Sequence, residues 1–165
     1  MSMTSPEGAT GDRFRMATSF ANLLIHVVFS TKHRHPWIEK DRRDSLQGYI
    51  GGIARQEGAI LLEAGGMPDH IHLLIKLHAD LSVARLVRLI KSNSSRWLNQ
   101  EPGRAGRFEW QAGYGAFSVS ESRINALRTY IRRQDEHHAH MSFAEELVLL
   151  LRRHHIEYDE RYLLG

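Results

Sequence analysis

Four short apolar segments interleaved with two helix-patterned stretches constrain this chain more than any other feature. From Asn22 to Thr31 the run Leu23-Leu24-Ile25-His26-Val27-Val28-Phe29 is continuous and rich in β-branched residues, as expected of a strand covered on both faces. A basic loop, Lys32-His33-Arg34-His35-Pro36, leaves it, and Pro36 keeps its neighbour out of helical geometry. Leu46, Ile50 and Ile53, spaced by four and three, predict a helix over Glu39 to Glu57 that Gly58 ends. Ala59 to Ala64 reads as a second strand, and Gly65-Gly66-Met67-Pro68 as a tight connection to a third, Asp69 to about Leu77. Ser82 then caps an amphipathic helix with Val83, Leu86, Val87, Ile90, Trp97 and Leu98 on one face. After an irregular loop, Glu101 to Gly113, the stretch Gly115 to Ser120 alternates as a fourth strand would. The order β-α-β-β-α-β predicts an α/β (α+β) chain with the antiparallel sheet of a ferredoxin-like split fold. Two more helices follow, Glu121 to about His138 and Ser142 to His154.

The third strand carries the chemistry. In Pro68-Asp69-His70-Ile71-His72-Leu73-Leu74-Ile75 the strand period of two sends His70 and His72 to one face and Ile71 and Leu73 to the other. Two imidazoles placed in this way suit a shared metal ion, although in a chain with 11 histidines an isolated pair equally suits hydrogen-bonded packing. With no cysteine, any metal must be held by nitrogen and oxygen donors, which excludes thiolate zinc sites. On the helix from Glu121, Ile124, Leu127 and Ile131 pack, while Tyr130, Gln134 and His138 lie at i, i+4 and i+8 along one stripe. Two imidazoles and an amide oxygen leave coordination positions open on a Mg²⁺ or Mn²⁺ ion, which would polarise a phosphate oxygen for attack by the tyrosine hydroxyl.

These residues resemble a known family, the single-tyrosine HUH transposases of small insertion sequences, of the TnpA type. The likeness rests on Val27-Val28-Phe29-Ser30-Thr31-Lys32, Met67-Pro68-Asp69-His70-Ile71-His72-Leu73-Leu74 and Leu89-Ile90-Lys91-Ser92. It continues through Trp110 with Gly113-Tyr114-Gly115-Ala116-Phe117-Ser118-Val119-Ser120, and ends at Tyr130-Ile131-x-x-Gln134. The resemblance implies a metal-dependent endonuclease and strand-transfer enzyme acting on single-stranded DNA with hairpins at the element's ends. Cleavage would leave a 5′-phosphotyrosine and a free 3′-hydroxyl. It implies His70 and His72 as metal ligands, Gln134 as the third ligand, Tyr130 as the nucleophile, and a homodimer; beyond the family pattern, His137 and His138 offer two further imidazoles, either of which could replace or assist Gln134. The catalytic domain would span residues 19–140, after a disordered leader over 1–18 and before a helical extension, 141–165, packed on the same domain.

Basic residues outnumber acids between Arg85 and Arg133, the electrostatic footprint of phosphate-backbone binding. Lys32, Arg34, Arg88, Lys91 and Arg96 are the candidate DNA contacts, with Trp97, Phe108 and Trp110 as aromatic stacking candidates and Tyr114 as a rival nucleophile. No apolar run reaches the ~20 residues of a membrane span, and the expected location is the cytoplasm. The alternative reading is a DNA- or RNA-hairpin-binding protein that keeps the fold without transposing.

Overall fold

The structure is a computed structural model that describes residues 20–163; the expected leader lies outside them. Four strands, β1 (Leu23–Ser30), β2 (Ile60–Met67), β3 (His70–Leu77) and β4 (Gly115–Ser118), form one antiparallel sheet in the order β2-β3-β1-β4. Two long helices, α1 (Lys40–Gln56) and α2 (Val83–Asn99), connect β1 to β2 and β3 to β4. This is the ferredoxin-like arrangement expected from the element order.

Strand alternation divides the interior in two. Val27 and Phe29 of β1 and Ile71, Leu73 and Ile75 of β3 pack against Leu46, Ile50 and Ile53 of α1 and Leu86, Val87 and Ile90 of α2. Val28 and Phe117, on the other face, pack with Phe143, Leu150 and Leu151 of the C-terminal helix α5 (Phe143–Arg153). Fully burying side chains of this size stabilises by roughly 1.5–3 kcal/mol each, enough to hold a three-turn helix against the sheet. Ser142 and Glu145 form a capping box that sets where α5 begins. Among the described residues, no helix is long and apolar enough to cross a membrane.

The β2–β3 connection differs from expectation. Gly65, Gly66 and Met67 belong to β2, and Met67 pairs with His70, leaving Pro68-Asp69 as a two-residue turn. The turn carbonyls are held from outside, Asp69 O by Thr31 N at 2.8 Å and Pro68 O by Ile38 N at 2.9 Å. Both glycines occupy strand positions where a side chain has no room. A Cβ on Gly65 would lie 2.2 Å from the carbonyl oxygen of Ile131, and one on Gly66 would lie 2.3 Å from that of His70. Glycine at 65 therefore lets the helix carrying Tyr130, α3 (Ile124–Arg132), descend onto the sheet.

The helix expected over Glu121 to His138 is built in three pieces: a 3₁₀ turn at Glu121–Arg123, α3, and a single turn α4 (Gln134–His137). The break falls at Arg133 (φ −98°, ψ 29°). The stripe survives it, because His138 N still bonds to Gln134 O at 2.9 Å and the Gln134 side chain reaches Tyr130 O at 3.4 Å.

Candidate metal and tyrosine site

His70 and His72 emerge from the face of β3 turned toward α3, α4 and α5, and both are fully buried. His70 Nδ1 lies 2.7 Å from Asp69 Oδ1, a carboxylate that fixes the ring and directs Nε2 inward. Burial pushes the Asp69 carboxyl up, but the bond to His70 and its charge, with a backbone N–H and His138, together hold the group below its ordinary range. His72 Nδ1 sits 2.9 Å from His26 Nε2 on β1, and the two rings stack with centroids 5.1 Å apart. Burial, reinforced by His72, lowers the His26 pKa to about 3, so His26 is neutral. One of these two facing nitrogens donates to the other, and the opposite nitrogen of His72, Nε2, points into the cluster toward Glu146. That Nε2 is buried and has no hydrogen-bond partner.

The space in front of these nitrogens is filled from α5. Glu146, 1% exposed, places Oε2 at 2.9 Å from His138 Nε2, 3.3 Å from His72 Nε2 and 3.6 Å from His70 Nε2. Burial pushes this carboxyl up, yet His138, His72 and the Tyr130 hydroxyl together outweigh burial and hold it well below the usual range. His138 moves in the opposite sense: burial lowers it, but the bond to Glu146 and its charge, with the Met141 carbonyl and Asp69, together raise it above an ordinary histidine. Donor atoms of His70, His72, His138 and Glu146 all lie within 4.8 Å of one another. Gln134, 2% exposed, presents Oε1 3.4 Å from His70 Nε2 and donates Nε2 to Glu146 Oε1 at 3.4 Å.

The donor set fits a divalent cation: several imidazoles, a carboxylate, an amide, and two buried imidazole nitrogens, His72 Nε2 and His137 Nε2, without a hydrogen-bond partner.

Tyr130 completes the cluster from the same chain. Its hydroxyl donates to Glu146 Oε1, and its ring meets His72 edge-on with centroids 5.8 Å apart. Burial first, and the negative Glu146 second, raise the phenol above its ordinary pKa, so Tyr130 is protonated at rest. Two clefts reach this cluster. One, of about 590 Å³, is lined by Tyr130, His26, Arg123 and Arg153; the other, of about 550 Å³, by Arg34, Asp69 and His138.

Of the expected DNA contacts, all but Lys32 fall at two openings. Arg34 borders the cleft at His138, and the Lys32 ammonium pairs with Glu109 at 2.6 Å. Arg88, Lys91 and Arg96 line a separate groove of about 1140 Å³ between α2 and the 104–114 loop, together with Arg107 and Tyr114. Lys91 is half-buried and donates to the carbonyl oxygens of Gln111 and Gly113, so it anchors the loop. Of the aromatic candidates, Phe108 (1% exposed) and Trp110 (9%) belong to the core, and Trp97 stacks on Tyr49 at 4.9 Å. Tyr114 is exposed in the groove.

Comparison with known proteins agrees with this architecture. Residues 19–134 match the family described as Transposase IS200 like. The chain belongs to the IS200-like transposases. The ISDra2 transposase TnpA of Deinococcus radiodurans is 26% identical over 119 residues, covering 69% of this chain and 85% of that protein. The transposase for insertion sequence element IS200 of Salmonella typhimurium is 26% identical over 131 residues, covering 76% and 86%. A crystal structure of a candidate transposase from Deinococcus radiodurans R1 superposes with a TM-score of 0.55 at 25% identity, covering 80% of this chain and 98% of that one. A REP-associated tyrosine transposase bound to a REP hairpin shares the fold, with a TM-score of 0.57 at 14% identity over 70% of this chain and 68% of that one. As an IS200-like transposase the chain is a DNA-cleaving enzyme of an insertion sequence, and its matched segment ends at Gln134, before α5.

Three members of the cluster are not evident from sequence reasoning. His26 is hidden inside an apolar run, and Asp69 reads as a turn residue. Glu146 did leave a signal, an acid on the stripe Phe143, Leu147, Leu150 and Leu151 that packs against the sheet.

Proposed function

We propose that this IS200-like transposase cuts and rejoins single-stranded DNA through Tyr130, with His70 and His72 as the core of a divalent metal site. The observation that carries the reading is the convergence, within one chain, of the Tyr130 hydroxyl and the inward nitrogens of both histidines on one buried point. A bound Mg²⁺ or Mn²⁺ ion would polarise a non-bridging phosphate oxygen and offset the charge of Glu146. With imidazole donors in the set, Mn²⁺ should bind more tightly than Mg²⁺, which prefers oxygen. Gln134 and His138 stand beside the histidines as further donors.

The bonds balance simply. Tyr130 Oη attacks phosphorus, the P–O3′ bond breaks, and the phenol proton passes to the Glu146 oxygen it already contacts. The departing 3′ oxygen takes a proton from water. Rejoining reverses the sequence: an incoming 3′-hydroxyl gives its proton to water and attacks phosphorus, the P–Oη bond breaks, and Tyr130 recovers its proton from Glu146.

Arg123 and Arg153 flank the cleft beside Tyr130 and suit the phosphates of a strand entering it. The α2 groove, with Arg88, Arg96 and Arg107, suits a second length of nucleic acid such as a hairpin stem, the ligand seen on the REP-associated relative.

The test is incubation with single-stranded DNA from the borders of the element, with Mn²⁺, followed by a denaturing gel. A covalent adduct is expected, absent with EDTA and absent in Tyr130→Phe. An adduct that survives in Tyr130→Phe rejects this nucleophile and turns attention to Tyr114. Hairpin binding with no adduct in any metal supports a binding protein instead.

A further inference from the structure

We propose that Glu146, a residue of the C-terminal helix outside the matched family segment, is itself a ligand of the metal, so that metal binding fastens α5 to the sheet. The inference rests on the metal-site reading of His70 and His72 given above. Its starting point is the cost of the carboxylate. Glu146 is 1% exposed, and among the described residues no lysine or arginine forms an ion pair with it. Buried carboxylates persist when paired with a full positive charge or when bound to metal. Here the neighbours are imidazoles from β3 and α4, the Tyr130 hydroxyl and the Gln134 amide.

The geometry favours one oxygen for each role. Oε1 is engaged by Tyr130, with Gln134 Nε2 at 3.4 Å. Oε2 faces the nitrogens of His138, His72 and His70 at 2.9, 3.3 and 3.6 Å. Donors sharing one ion at bonds of about 2.0–2.2 Å lie no more than ~4.4 Å apart. The observed set spans 4.8 Å at most, close to that limit. A carboxylate is also a stronger partner for a divalent cation than the neutral amide of Gln134. Gln134, donating to Glu146, is then a positioning residue that aims the carboxylate.

Two features fix Glu146 in place independently of any metal. The capping box at Ser142 and Glu145 sets the helix start, and Phe143, Leu150 and Leu151 pin its face to Val28 and Phe117. A ligand on this helix makes α5 part of the metal site.

The test is Mn²⁺ titration calorimetry on the full chain and on Glu146→Gln, Gln134→Ala and His72→Ala, with hydrogen exchange of the wild type with and without Mn²⁺. One Mn²⁺ should bind the wild type, with affinity at least tenfold weaker in Glu146→Gln, a smaller loss in Gln134→Ala, and no binding in His72→Ala. Mn²⁺ should slow exchange in 143–153 by at least as large a factor as in β3, a readout that stands even if Glu146→Gln fails to fold. Wild-type affinity in Glu146→Gln, or protection of β3 without α5, overturns the inference while leaving the metal site intact. Equal binding by His72→Ala, or none by the wild type, overturns the metal-site reading and this inference with it.

Discussion

His26 ties the chemistry of the site to the stability of the fold. Its pKa is lowered to about 3, by burial first and His72 second, whereas an unfolded histidine titrates near 6.5. Below about pH 6.5 the unfolded chain takes up a proton that the folded chain refuses, so stability falls as pH drops toward 3. His72, lowered chiefly by burial, adds in the same direction. His138 is raised, so its contribution is complete below pH 6.5 and is lost only as pH climbs; it does not offset the fall. For the metal-free protein, urea unfolding should show a loss of about 1–2 kcal/mol from His26 between pH 7 and pH 5. His26→Gln should flatten that dependence, and an unchanged slope would mean that His26 is not held neutral in the folded state.

Among the elements, α3 decides whether the tyrosine arrives. Its approach depends on Gly65, where any Cβ would strike the backbone of Ile131. Gly65→Ala should lift α3 from the sheet, cost about 1–3 kcal/mol through overpacking, and slow adduct formation by tenfold or more while DNA affinity is kept. Single-turnover adduct rates beside binding isotherms separate the two effects. Helix α2 makes a different contribution: if Arg88 and Arg96 each contact a phosphate, the double Ala variant should lower the salt slope of single-strand binding by about 1.4. An unchanged slope would place the DNA elsewhere.

These elements also show what was legible in the amino-acid order. The paired histidines were readable because a strand has a period of two, and Tyr130 with Gln134 because a helix repeats every 3.6 residues. The sheet order followed from the succession of strands and helices. Gly65 and Gly66 read as a turn because glycine is a poor strand former, and their use as a landing for α3 depends on a helix sixty residues away. Glu146 and His26 escaped for a similar reason: each acquires its role only from a partner on another element, which no local period encodes.

At the scale of the molecule, one chain holds Tyr130, His70, His72, Gln134 and Glu146 together. A homodimer, as the family resemblance implies, would then carry two complete sites. Mixing Tyr130→Phe with His72→Ala should not restore adduct formation; recovery of a substantial fraction of wild-type activity would mean that the tyrosine serves the partner's histidines.

The most direct measurement is mass spectrometry of the protease-digested covalent adduct formed on single-stranded element-end DNA with Mn²⁺. The account predicts a nucleotide joined through its 5′-phosphate to the peptide containing Tyr130, and no other modified peptide. A nucleotide on the Tyr114 peptide, or a cleaved strand with no protein attached, would contradict it.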